Sequence, residues 1–185
     1  MRQRLHEGSG AYNSRVTNTL IDAFRHNAWA NRKLIEFCRG LSGEQLTAST
    51  TGTYGNILET MQHIIGGEYF YAYLLSGREL DWPGFDERVI EPEHWEQWAD
   101  DLAAFWEAAL ASPIDPDGLL VRPDGPGWTR EVRTGVLIAQ TLQHGNVHRE
   151  QISAIITSLG LAPPDLEVWA YAAEVGRDAM RQTST

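Results

Sequence analysis

Apolar residues recur at helical spacing in four long stretches, and that pattern predicts four long helices. The first runs from about Val16 to Cys38, with Leu20, Phe24, Ala28, Ile35 and Cys38 along one stripe. The second, Asn56 to Ser76, reads NILETMQHIIGGEYFYAYLLS and closes at Gly77. The third starts near Pro92 with acidic residues in its first turn, as the helix dipole favours, and continues to about Ala111. Its apolar face is Trp95, Trp98, Leu102, Phe105, Trp106 and Leu110, which suits a core or a subunit contact. The fourth, TGVLIAQTLQHGNVHREQISAIITSLG, runs from Thr134 to Gly160, with Thr134 expected as its N-cap and Gly160, Pro163 and Pro164 as its stop signal.

The remaining segments are short. Asp165 to about Arg181 carries Leu166, Val168, Trp169, Tyr171, Ala172 and Val175 and predicts a closing helix. Between Ser112 and Arg133, LLVRP and WTREV flank DGPG, the pattern of a small hairpin over one end of a bundle. Residues 39–55 and 77–91 are connections, and residues 1–15 are polar and expected to be a flexible tail. The expected architecture is all-α: a single domain over 16–185, an up-down four-helix bundle with a short additional C-terminal helix and a small hairpin.

Several polar residues interrupt the apolar faces. His144 and His148 lie four apart, which stacks them on one helix face about 5 to 6 Å apart at Cβ. Leu137, Gln140, Thr141, Gln151 and Ile155 share that face, while Gln143, Arg149 and Glu150 turn away. Apolar ends around a polar middle suggest a polar island inside a core. Gly145 sits mid-helix, where glycine costs about 1 kcal/mol relative to alanine, so close packing or function is needed to explain it. On the second helix His63 shares a face with Asn56, Glu59, Thr60 and Gly67, and Glu68 lies roughly 140° away. The Gly66-Gly67 pair permits close approach of another backbone, or a kink. Asn31 falls in the middle of the first apolar stripe, where a buried amide must be hydrogen-bonded and is expected to tie its helix to a neighbour.

In a bundle, facing helices build metal sites in the core, and His63, His144 and His148 are the three histidines placed to face inward. Three neutral imidazoles leave a fourth position open, the arrangement of catalytic rather than structural zinc. His26 and His94 are expected at least partly exposed. Cys38 is expected to be a small buried hydrophobe.

Charge and cysteine content narrow the functional classes. With 25 acidic residues against 15 basic and a formal charge of −10, the chain lacks the footprint of a nucleic-acid or anionic-membrane binder. A single cysteine allows neither an internal disulfide nor a cysteine-based zinc cluster. The first residues lack the apolar core of a signal peptide and no uninterrupted apolar run reaches membrane-spanning length, so a cytoplasmic location is expected.

The run HNAWANRKLIEF, His63, and HGNVHREQISAIITSLGLAPPDLEVWAYAAE together resemble the DinB-like (DNA-damage-inducible) superfamily, also grouped with YfiT-like metal-dependent hydrolases, over roughly Val16 to Tyr171. The resemblance implies an up-down four-helix bundle, often a homodimer, with a divalent metal, usually zinc or nickel, on His63, His144 and His148. Glu150 stands where relatives often have Gly, facing away from the metal. Understood members include transferases and isomerases using low-molecular-weight thiols, so the expected activity is metal-assisted activation of such a thiol toward a small-molecule electrophile. Gln140, Gln151 and Glu59 would then orient ligands or handle a proton. The alternatives are hydrolysis by a metal-bound hydroxide with Glu59 as base, and a stress-related metal-binding or dimerisation module without turnover. A zincin protease is excluded, because Gly145 follows His144 where the general base would stand.

Overall fold

The structure is a computed structural model that describes residues 9–86, 88–123 and 126–179, with side chains from 19 onward except that of 123. Its helices are α1 (Ser9–Arg39), α2 (Gly43–Leu46), α3 (Ile57–Ser76), α4 (Trp95–Leu110), α5 (Thr134–Ser158) and α6 (Val168–Glu174). A single turn of 3-10 helix at Pro92–His94 leads into α4, and the strands β1 (Leu119–Pro123) and β2 (Thr129–Arg133) pair antiparallel, Leu119 opposite Arg133 and Val121 opposite Glu131.

Three boundaries differ from the pattern-based expectation. α1 begins at Ser9, so residues 9–15 extend the helix instead of forming a tail, and residues 1–8 lie outside the described part. The polar opening of α1 breaks the apolar period but contains no proline, and extending an existing helix adds one hydrogen bond per residue fixed. Thr134 is not the N-cap of α5; Arg133 occupies that position without a side-chain cap. Because β2 runs straight into α5, Thr134 instead donates both its amide (2.9 Å) and its hydroxyl (3.1 Å) to the Gly118 carbonyl. α6 is shorter than predicted, since Asp165 accepts from the Glu167 amide at 3.0 Å and holds the chain in a turn after the two prolines.

Elsewhere the local signals hold. Asn56 caps α3 and forms a capping box with Glu59, and Gly77 ends that helix in the left-handed region at φ 67°. Gly160, at φ 76°, follows the end of α5.

α1 packs mainly on α4 and α5, and α3 packs on the same two, so α1 and α3 face each other diagonally across a four-helix core. Leu34, Ile35, Met61, Ile64, Ile65, Leu102, Trp106, Ile152 and Ile155 fill it. Tyr69, Trp82, Phe85 and Trp98 stack into an aromatic cluster that seats the 77–91 connection, with Trp82 Nε1 donating to Asp101 at 2.9 Å. α6 is pinned to α1 by Trp29 Nε1 donating to Glu174 and by the Lys33–Glu174 ion pair at 3.0 Å. No described helix is long and apolar enough to cross a membrane.

Candidate metal centre

α3 and α5 pack side by side, and His63 from the first meets His144 and His148 from the second. Each of the three half-buried histidines offers a ring nitrogen within 4.8 Å of the others'. His63 Nε2 and His144 Nε2 are 3.0 Å apart. Two imidazoles bound to one tetrahedral zinc at about 2.0 to 2.1 Å place their nitrogens roughly 3.3 Å apart, so a small opening of the pair accommodates an ion. Gly67 makes the cluster possible: a Cβ built there would stand 2.5 Å from His144 Cε1. The close approach expected at the glycine pair is thus that of an imidazole rather than a backbone.

His148 is oriented from outside the cluster. Its Nδ1–H donates to Gln151 Oε1 at 2.8 Å, which leaves Nε2 as the nitrogen able to coordinate an ion. Gln151 Oε1 also accepts from the Tyr54 amide at 3.2 Å, and its Nε2 donates to the Gly52 carbonyl at 3.3 Å. One glutamine therefore ties the 50–55 loop to α5. Tyr54 stacks on His63, ring centroids 4.0 Å apart and planes 7° from parallel. Burial lowers the pKa of His148 and the Gln151 hydrogen bond partly offsets this, a balance that keeps the ring neutral and able to coordinate near pH 7.

The two other predicted site residues lie further out. Gln140 donates to the Tyr71 hydroxyl at 3.2 Å, and the Tyr71 ring meets His144 edge-on with centroids 5.5 Å apart. Glu59 accepts from the Asn56 amide at 3.0 Å as part of the α3 cap, and it also lines a cavity of about 420 Å³ beside His63 with Tyr54, Gln62, Arg88 and Ile90.

A second polar cluster lies on the next face of α5. Arg149, expected to turn away from the site, is 3% exposed, and Glu68 is 5% exposed. Asn27 and Asn31 of α1 link them: each amide nitrogen donates to Glu68 Oε2 at 3.1 Å, while Arg149 Nη1 donates to their oxygens at 2.7 and 2.8 Å. Burial raises the Glu68 pKa and lowers that of Arg149 to about 10, which leaves the guanidinium charged at neutral pH. Gly145 is explained here, because a Cβ would fall 2.8 Å from both Arg149 Nη1 and Asn27 Oδ1.

The remaining candidates behave as simple packing predicts. His26 is half-buried and hydrogen-bonded to the Leu166 carbonyl at 2.8 Å, and Cys38 is buried with its thiol pushed up to about 12. Cys38 is thereby an unreactive thiol.

With the three histidines converging on a helical scaffold, the chain also matches the DinB family over residues 14–179. The chain belongs to the DinB family. Comparison with curated proteins returns no match. For a DinB protein the three-histidine cluster is compatible with metal binding, and among the described residues it is the only group of three or more His, Cys, Asp or Glu side chains close enough to share an ion. Rotation along α3 and α5 is enough to find the three histidines. It could not find Arg149 and Glu68, whose partners come from α1.

Proposed function

We propose that this DinB-family chain is a metal-dependent enzyme that activates a low-molecular-weight thiol on His63, His144 and His148 and presents its sulfur to a small electrophile. One observation carries the reading: three neutral ligand groups converge with no fourth acidic, histidine or cysteine ligand from the described chain, and a cavity lies alongside. When bound, zinc or nickel would supply Lewis acidity and hold a thiol as thiolate near neutral pH. The protein's own groups supply position. Gln151 holds His148 by Nδ1 and so aims Nε2 inward, and Gly67 sets how deeply His144 sits. Tyr54 covers one face of His63 and limits water on that side. Glu59 and Gln62 line the adjoining cavity, where the electrophile would lie.

The hydrolytic alternative with Glu59 as base has less support, because that carboxylate already serves the α3 cap. We further propose a cytoplasmic homodimer acting on a small molecule, with oligomeric state checked by sedimentation.

The first experiment is elemental analysis of tag-free protein beside His144→Ala. One divalent ion per chain, lost in the variant, is the expected result. Cobalt-substituted protein should then show a sulfur-to-metal charge-transfer band when a thiol such as cysteamine is added. Metal without that band would overturn the thiol reading and leave a binding module or a hydrolase, and no metal in either protein would overturn the site.

A further inference from the structure

A cavity of about 610 Å³ lies between α1, α5 and α6, on a different face of α5 from the histidines. Most of its exposed surface is apolar, from Ala23, Ala139, Leu142, Val168, Tyr171 and Ala172, and polar residues including His26, Asn146 and Arg149 share the wall. That volume falls within the range of about 300 to 1,000 Å³ of small-molecule sites, and an apolar wall with few polar groups is their usual composition.

Arg149 is held for such a role. Its Nη1 uses both of its hydrogens on Asn27 Oδ1 and Asn31 Oδ1. Nε and Nη2 have no hydrogen-bond acceptor among the described residues, and these two nitrogens form the side-on edge of the guanidinium, which matches the two oxygens of a carboxylate. The other charges at the cavity are Asp22 and Arg177, which pair with each other. Glu68 compensates Arg149 from behind, through the two asparagines, so the side chain is fixed and charged while its outer edge meets no acceptor among the described residues.

We propose that this cavity binds a small monocarboxylate with a compact apolar body, its carboxylate paired side-on with Arg149 and its body against the alanines, Leu142 and Tyr171. A phosphate dianion fits less well. It would need a second free cation, and Arg177 is taken by Asp22.

The test is calorimetric titration of the full chain with 3-phenylpropionate, 3-phenylpropanol and inorganic phosphate. Saturable binding of the acid, at least tenfold tighter than the alcohol or phosphate, is expected. Ala139→Phe narrows the cavity without touching the polar cluster and should abolish binding, while Arg149→Lys keeps the charge but loses the side-on geometry and should weaken it at least tenfold. His144→Ala should bind as the parent does, which separates this site from the metal centre. The proposal is overturned by equal binding of acid and alcohol, by undiminished binding in Ala139→Phe, by loss of binding in His144→Ala, or by no saturable binding at millimolar acid.

Discussion

His144 and His148 turn toward α3, while Gly145 and Arg149, one step further round α5, meet α1 and Glu68. Both groups are polar, both sit within the bundle, and they are finished differently. The Asn27–Asn31–Glu68–Arg149 cluster is nearly complete in itself: two amides each give a nitrogen to the carboxylate and an oxygen to the guanidinium. The histidine cluster brings nitrogen against nitrogen, an arrangement that neutral rings satisfy only by sharing a proton or a cation. The first set ties three helices together through donors facing acceptors, and the second brings three imidazole nitrogens close enough to share one ion.

The sharpest way to break this contrast is to unpair the buried charges. Arg149→Leu leaves the Glu68 carboxylate uncompensated and should cost about 3 to 5 kcal/mol by urea denaturation, while adding Glu68→Leu should restore part of that. Full additivity of the two losses would contradict the linkage through Asn27 and Asn31.

Gly67 and Gly145 give a paired test of intermediate size. Gly67→Ala forces His144 aside and should remove the metal at a stability cost of about 1 to 3 kcal/mol. Gly145→Ala crowds Arg149 and Asn27 instead, so it should destabilise comparably but retain the metal, as elemental analysis of both variants would show.

Gln151→Ala should lower metal affinity about 10- to 100-fold in chelator competition with the fold intact, because it frees His148 Nδ1 without adding bulk. An unchanged affinity would remove Gln151 from the centre.

The smallest effect, and the one that separates the clusters by sign, is with pH. Imidazole must be neutral to coordinate, so metal content should fall as pH drops below about 6.5 and be lost at pH 4. Glu68 acts oppositely. Its folded pKa is raised above 4.5 by burial, so the folded chain holds this proton more tightly, and stability from this group is present at low pH and lost as pH rises from 4.5 through the raised value. Comparing metal-free His144→Ala with and without Glu68→Gln between pH 4.5 and 7 should show that slope only where Glu68 is present.

One sequence reveals part of this arrangement. His63, His144 and His148 were legible because their spacing and polar neighbours stand out on two helices that otherwise pack, and Asn31 was legible as a tie to a neighbour because a buried amide needs a partner. Arg149 and Glu68 were not. Rotation turns each away from its neighbouring histidine, yet a residue turned from one neighbour in a bundle can face another. Thr134 was misplaced for a similar reason: its capping chemistry is real, but the hairpin's Gly118 carbonyl takes the hydroxyl. The polar start of α1 hid a helix that apolar periodicity does not report.

The order His144-Gly145 and His148-Arg149, repeated one turn apart, has a consequence for how the bundle assembles. Rolling α5 by one residue would, depending on its sense, carry either the guanidinium toward the histidine pocket or an imidazole toward the buried carboxylate, and Gly67 and Gly145 would each face the wrong partner. Apolar contacts alone tolerate such a roll, since Ile152, Ile155 and Ile156 span a broad sector of the helix. The polar pairs therefore act as an angular key that admits a single azimuth of α5, and the centre is formed only when that key is seated.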